Sequence, residues 1–400
     1  MDCYVNTMVF LRANGSLVCG CDVGGLVELQ HYDPSADYFE DVLSGIKLGS
    51  IRKNLCENKL PFPELCDRCW LLTPHVDFDR SFITNKTINY FQIEPTILCN
   101  LHCPSCIPPE KRKGYLPDHG YGNVFLRKAI VKKILADLQR HGVIIKNIEL
   151  IGHGEPLIGT DTWDIVRICR ELFPRAYISM TTNANSVFNL SHVTSGLNQM
   201  QFAVDGTSQE TYGKYRQGGD FQKAYQYMKD FSLACEEQKI PVYRIWKYVI
   251  FDHNDTLKEL GEVQKMAIDI KIPAVHYVFT MWGPRSCRLL SPEEIPRISD
   301  KLQVTHGYFK FTPDHLEKMV TVFRDQISNS DYQNANNALR YFVNALNREF
   351  SNEKIEPDRD IGNLLRQTSA LINTYSDKID SQTRQSFEKF ILDKKISILQ

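Results

Sequence analysis

Between about residues 86 and 290 the sequence alternates short apolar runs with amphipathic stretches, and this alternation narrows the possible folds more than any other feature. Strand-like runs fall at Tyr90–Leu98, Ile145–Ile151, Ala176–Thr181, Gln199–Val204, Tyr243–Ile250 and Ala274–Thr280. Helical patterns lie between them at Phe125–Arg140, Thr162–Leu172, Phe221–Gln238 and Thr256–Ile270, with a less regular one over Ser186–Leu197. Strands that alternate with helices build a parallel sheet. Six such units predict an α/β fold, a partial (βα)6 barrel with its chemistry at the C-terminal ends of the strands.

Two flanking zones differ from this core. Residues 1–75 are rich in cysteine and read as a small α+β module: the strand-like Met8–Leu11, a turn at Asn14-Gly15, a helix over Leu48–Lys59 and a Pro-rich approach to Cys66-Asp-Arg-Cys69. Residues 291–400 read as helices, with Leu339, Phe342, Val343, Leu346 and Phe350 at helical spacing. That zone carries no evident chemistry.

Lysine and arginine number 47 against 48 acidic residues, so no overall basic field would attract nucleic acid. The short basic run Lys111-Arg112-Lys113 reads as a solvated loop. No apolar run reaches the 18 or so residues that a membrane span needs. The opening MDCYVNTMVFLRANGS lacks a basic segment leading into an apolar one, so a cytoplasmic protein is expected. In that setting twelve cysteines argue for metal binding rather than disulfides, and nine of them fall by position 106. Cys169 and Cys235 read as packing residues.

The string QIEPTILCNLHCPSC at 92–106 sets Cys99, Cys103 and Cys106 in a C-x3-C-x2-C pattern just past a strand. Thiolates ligate iron–sulfur clusters, and a four-iron cubane ordinarily takes four of them. Three from one loop leave one iron open to a further ligand. A structural zinc site would prefer paired C-x2-C units and a closed set of four.

This pattern at the end of a first barrel strand resembles the radical S-adenosylmethionine (radical SAM) superfamily. CNLHCPSC is similar to the CNLRCPxC form of its members with auxiliary clusters, although Ser105 stands where many have an aromatic. After the second strand, Gly152-His153-Gly154-Glu155-Pro156 resembles the family's GGEP element. The resemblance implies that its glycines admit the ligand closely and that Glu155 accepts from the methionyl ammonium. Thr182 and Asn183, after the third strand, would suit ribose hydroxyls. Asp205-Gly206 and the following Glu210-Thr-Tyr212 and Tyr215-Arg216-x-Gly218-Gly219 resemble the DG…ETY…YRxGG run of the same subgroup. Arg216 would then grip the SAM carboxylate. Ala203 stands where the family often has serine, which leaves the ribose to Asn183.

Cys3, Cys21, Cys66 and Cys69 resemble the ligand set of the twitch domain, the shorter relative of the SPASM domain, here ahead of the barrel rather than behind it. Spacing does not separate Cys19 from Cys21. Four thiols would close an auxiliary 4Fe–4S cluster suited to electron transfer. The rival reading is a bracing zinc site.

The resemblance implies reductive cleavage of SAM to a 5′-deoxyadenosyl radical that abstracts a substrate hydrogen, fed by a flavodoxin- or ferredoxin-type donor. A closed auxiliary cluster suits two-electron oxidation. Dehydrogenation or epimerisation of a sugar or cyclitol carbinol is therefore expected first. His153 and Lys247 are candidate bases, and Cys287 a candidate hydrogen donor. Peptide modification is the second enzymatic reading. A zinc-stabilised binding protein without catalysis is the reading from another class.

Overall fold

The computed structural model describes residues 2–3, 8–19, 27–57, 59–66, 72–73, 86–107, 124–279, 295–307, 313–349 and 359–393. Cys21, Cys69, Cys287 and the basic run at 111–113 lie outside them. Two compact units divide the chain: residues 1–248 with 266–275 and 301–303, and residues 249–265, 276–300 and 304–400.

The first unit is built on a large, mostly parallel sheet. Its core strands are β6 (Thr87–Ile93), β7 (Ile144–Leu150), β8 (Tyr177–Thr182), β9 (Gln199–Ala203) and β10 (Tyr243–Ile250), adjacent in that order and parallel throughout. The sixth anticipated strand is β11 (Ala274–Phe279). The α/β partial-barrel core read from the sequence stands. Burial alternates along these strands. Ile148, Leu150, Ile178, Met180, Met200 and Phe202 are sealed on one face. Phe202 meets Tyr227 and Phe231 edge-on, and both belong to the helix Phe221–Glu237. This face therefore lies under the helices.

The N-terminal zone joins that sheet. β2 (Met8–Leu11) runs parallel to β6, with Leu11 opposite Ile93, and β3 (Leu17–Cys19) and β4 (Glu28–Gln30) continue antiparallel beyond it. The Asn14-Gly15 turn closes the hairpin as expected: the Gly15 N–H donates to the Arg12 carbonyl at 2.9 Å and the Ser16 N–H to Asn14 Oδ1 at 3.0 Å. The boundary expected between residues 75 and 86 thus falls inside one sheet, with β2 to β4 on one side of it and β6 on the other. Separately, β1 (Asp2–Cys3) pairs antiparallel with β5 (Leu72–Thr73), placing Cys3 opposite Leu72. The helix read at 48–59 is α1 (Ile46–Cys56), with α2 (Pro63–Cys66) after it.

The remaining helices of the first unit are α3 (Lys128–Arg140), α4 (Thr162–Leu172), α5 (Gln209–Tyr215) and α6 (Phe221–Glu237), and α7 (Leu257–Asp269) has its C-terminal end there. The irregular pattern at 186–197 is a short 3₁₀ segment, Leu190–Ser195, capped by Asn189. Cys169 on α4 and Cys235 on α6 are buried, and burial pushes their thiols up to about 12 and about 11, as packing residues should show.

The second unit holds α8 (Pro313–Ser328), α9 (Tyr332–Glu349), α10 (Arg359–Thr374) and α11 (Ser381–Asp393) around one apolar core. Leu339, Phe342, Val343 and Leu346 are all inside it, confirming the helical stripe, while Phe350 lies outside the described residues. A further strand, β12 (Gln303–Gly307), escaped the sequence reading because only Val304 in it is a strong apolar residue. No helix among the described residues is long and apolar enough to cross a membrane.

Candidate active site

The cluster loop starts where β6 ends and is fastened on three sides. Thr96 holds its base: its hydroxyl donates to the Val124 carbonyl at 2.7 Å and accepts from the Leu98 N–H at 3.0 Å. The loop after β7 fastens the middle, where the Glu155 N–H donates to the Leu98 carbonyl at 2.7 Å. The turn after α5 fastens the far end through the His102 N–H and the Gln217 carbonyl, 2.8 Å apart. That turn passes through Gly218 at φ +80°, a region that disfavours a side chain.

All three thiols of the loop are half-buried and outside any disulfide. Cys99 Sγ accepts from the Leu101 N–H at 3.4 Å and from Asn183 Nδ2 at 3.7 Å, while Arg216 Nη1 approaches Cys103 Sγ at 3.8 Å. Burial raises the Cys103 thiol, against the lowering pull of Arg216. Donors aimed at sulfur are the environment in which thiolates persist as cluster ligands. Among the described residues no three Cys, His, Asp or Glu side chains converge on a single metal ion. A cubane needs no such convergence, because each cysteine meets a different iron. The loop fits a three-cysteine 4Fe–4S cluster.

Glu155 sits at the hub. It is 4% exposed, and its carboxylate accepts three hydrogen bonds: Leu157 N–H at 2.9 Å, Thr182 Oγ1 at 2.6 Å and Asn183 N–H at 2.7 Å. Burial raises its pKa against those donors. The carboxylate thus ties the loop after β7 to the end of β8. The neighbouring glycines have a packing reason as well. A Cβ on Gly154 would stand 2.0 Å from the Thr96 carbonyl oxygen and 2.6 Å from that of Leu98, so only glycine lets the two loops close. Gly152 abuts Glu94, and Pro156 opens a 3₁₀ turn whose carbonyl accepts from Thr162 Oγ1 at 2.7 Å.

Asp205 and Arg216 form a buried ion pair, Nε to Oδ2 2.6 Å. Burial opposes the guanidinium charge, but Asp205 and the Cys103 sulfur more than compensate and its pKa rises. Tyr215, beside Arg216 and hydrogen-bonded to Ser105, is pushed up to about 12 by burial. His153 is half-buried, with its N–H donating to Glu94 Oε1 at 2.8 Å. Lys247 lies opposite Ala203 in the register of β10 and β9.

Several residues of this network went unread in the sequence. Glu94 is fully buried, accepts from the Ala13 and His153 N–H groups and pairs with Arg12 at 3.7 Å. A carboxylate directly after an apolar strand was the available signal. Asn100 and Asn185, also unread, join the cluster loop to the β8 end together with Tyr212: Asn100 Nδ2 donates to the Asn185 carbonyl at 2.8 Å, and Asn185 Nδ2 to Tyr212 Oη at 2.6 Å.

Residues 97–228 match the family described as a 4Fe-4S single cluster domain, a span that begins at the loop and takes in Glu155, Asp205 and Arg216. The matched span and the relatives below support a radical SAM core. Its similar relatives include the GTP 3′,8-cyclase of Clostridium botulinum (strain Hall), 26% identical over 168 residues, or 39% of this chain and 47% of that one. The GTP 3′,8-cyclase of Limosilactobacillus fermentum is 32% identical over 136 residues, covering 33% of this chain and 38% of that one. The chain spans about half the length of the first curated relatives it matches. Among solved structures, SuiB of Streptococcus suis bound to S-adenosylmethionine aligns with 80% of this chain and 69% of its own, at 15% identity and TM-score 0.37. A 4Fe–4S cluster and SAM are the cofactors of this core.

Proposed function

We propose that the chain is a radical SAM oxidoreductase that dehydrogenates a carbinol carbon of a sugar or cyclitol. The observation that carries this reading is the composition of the sheet face turned away from the helices. Register places Gln92, Glu149, Ser179, Gln199 and Tyr243 in one row across β6 to β10, and Thr181 and Gln201 beside Ile245 in the next. Amides and hydroxyls dominate these rows, the chemistry that recognises polyhydroxylated, uncharged molecules. A nucleoside triphosphate like that of the cyclase relatives would call for clustered cations. The described strand residues there offer one ammonium, Lys247, and one carboxylate, Glu149.

When bound, the cluster and SAM supply one-electron cleavage of the sulfonium to a 5′-deoxyadenosyl radical able to abstract hydrogen. Oxidation of the carbinol to a ketone then requires loss of one proton and one electron. Lys247, near the C-terminal end of β10, or His153 after β7 takes the proton. An auxiliary 4Fe–4S cluster, which Cys3, Cys21, Cys66 and Cys69 would hold, would supply the acceptor for that electron. The pairing of β1 with β5 supports that set, since it brings Cys3 opposite Leu72, three residues past Cys69. Cys287 is reserved for the epimerase variant of the reaction, in which a thiol returns hydrogen. A flavodoxin- or ferredoxin-type protein supplies the initiating electron.

The test uses anaerobically reconstituted protein and a panel of sugars and cyclitols deuterated at single carbinol carbons. Deuterium appearing in 5′-deoxyadenosine together with an equivalent of ketone supports the reading. About eight irons should be found, falling to about four when Cys99, Cys103 and Cys106 are all changed to alanine. Deuterium transfer only from a peptide or from GTP would refute the substrate class.

A further inference from the structure

We propose that Asn183 is a positioning residue for the cluster: its side-chain amide donates to the Cys99 sulfur and thereby raises the reduction potential, instead of meeting the ribose of SAM. The orientation of the amide is fixed by its neighbours. Oδ1 accepts from the Asn185 N–H at 2.8 Å, so Nδ2 faces Asn100 Oδ1 at 2.9 Å and Cys99 Sγ at 3.7 Å. Turning the amide over would set NH2 against an N–H and oxygen against oxygen. Asn100 does not turn to relieve this, because its own Nδ2 donates to the Asn185 carbonyl at 2.8 Å. The backbone is held too, by the Asn183 N–H on Glu155 Oε2, and the residue is 5% exposed. Both amide hydrogens are therefore committed, one to Asn100 and one to sulfur.

The sulfur gains a second donor from the Leu101 N–H, and Cys103 faces Arg216. Reduction adds negative charge that is shared by the ligating sulfurs. Donors aimed at them stabilise the reduced form more than the oxidised one, so the potential rises with each. Glu155 acts one step back, by holding the Asn183 backbone.

The experiment is potentiometric titration, followed by electron paramagnetic resonance, of wild type, Asn183→Asp and Asn183→Ala, each reconstituted anaerobically with the auxiliary signal separated spectrally. Aspartate keeps the acceptor that Asn185 needs and removes the donor to sulfur. The inference rests on the cluster being held by Cys99, Cys103 and Cys106, which iron and sulfide counts on the same samples test separately. With iron retained, the potential should fall in both variants, further in aspartate. At fixed solution potential the reduced-to-oxidised ratio should drop roughly tenfold, about 59 mV for a one-electron couple. An unchanged potential with weakened SAM binding would overturn the proposal and return Asn183 to the ribose. If both variants lose iron, pulsed resonance on wild type with amide-15N asparagine decides: a 15N coupling to the reduced cluster upholds the contact, and its absence overturns it.

Discussion

Changing Glu155 to glutamine separates two roles for this carboxylate: holding the ends of two strands together, or meeting the ammonium of SAM. Its Oε1 accepts from Leu157 N–H and Thr182 Oγ1, and its Oε2 from Asn183 N–H, with the residue 4% exposed. Glutamine retains one acceptor and replaces the other by NH2, so in either orientation a buried backbone N–H faces a donor. If the oxygen stays with Leu157 and Thr182, the Asn183 N–H is orphaned. An unsatisfied buried group costs about 1–3 kcal/mol, and a central value of about 2 kcal/mol corresponds to roughly thirtyfold in an opening equilibrium. Hydrogen exchange by mass spectrometry on the reconstituted protein reads this directly. The peptide covering 181–186 should exchange roughly thirtyfold faster, while one within β9 should hardly change. Exchange identical to wild type, with SAM binding weakened, would refute the argument and give the carboxylate to the ligand.

Gly154→Ala forces a methyl group onto the Thr96 carbonyl, so the variant should fold its sheet yet incorporate less iron; iron counts at wild-type level would contradict that. Burial, with Arg167 adding repulsion, holds His192 down to about 4 from its ordinary 6.5. The unfolded chain takes up that proton first, so stability is whole above pH 6.5 and declines as pH falls towards 4, by up to about 3 kcal/mol. His192→Phe, which preserves the stack on Trp163, should flatten that decline in urea titrations; the same slope as wild type would count against a neutral buried ring. Asp380 caps α11 through the Thr383 and Gln382 N–H groups and pairs with Arg340. Asp380→Ala should cost the helical unit about 1–2 kcal/mol, visible as a lowered calorimetric transition, and no shift would mean the cap is dispensable.

The barrel strands and helices were legible because each is amphipathic or apolar over its own length. Thr162–Leu172 was placed to the residue, and α3, α6 and α7 within three residues at either end. Short-range chemistry also read well, as at the Asn14-Gly15 turn. Pairings that depend on distant partners did not. Nothing local to Met8–Leu11 announces that it will lie parallel to Thr87–Ile93, more than seventy residues on. Gly152, Gly154 and Glu155 read as ligand-contacting residues, because a tight loop–loop closure and a tight ligand approach demand the same residue types. Geometry alone shows Thr96 and Glu94 filling the space beside the two glycines. Thr182 and Asn183 read as hydroxyl partners for a similar reason, while their polar atoms are spent on Glu155, Asn100 and Asn185.

The parallel pairing of β2 with β6 has a consequence for how the chain can be divided. A fragment beginning near residue 86 would strip β6 of its neighbour and uncover a row of unpaired backbone amides and carbonyls along an apolar strand. Such a border recruits strands from other molecules. The same cut would remove Arg12 and leave the fully buried Glu94 without its counter-charge. Expressed alone, the catalytic half should therefore precipitate or self-associate. The N-terminal segment covers that edge through β2, and shuffling it between proteins would require this strand to travel with it.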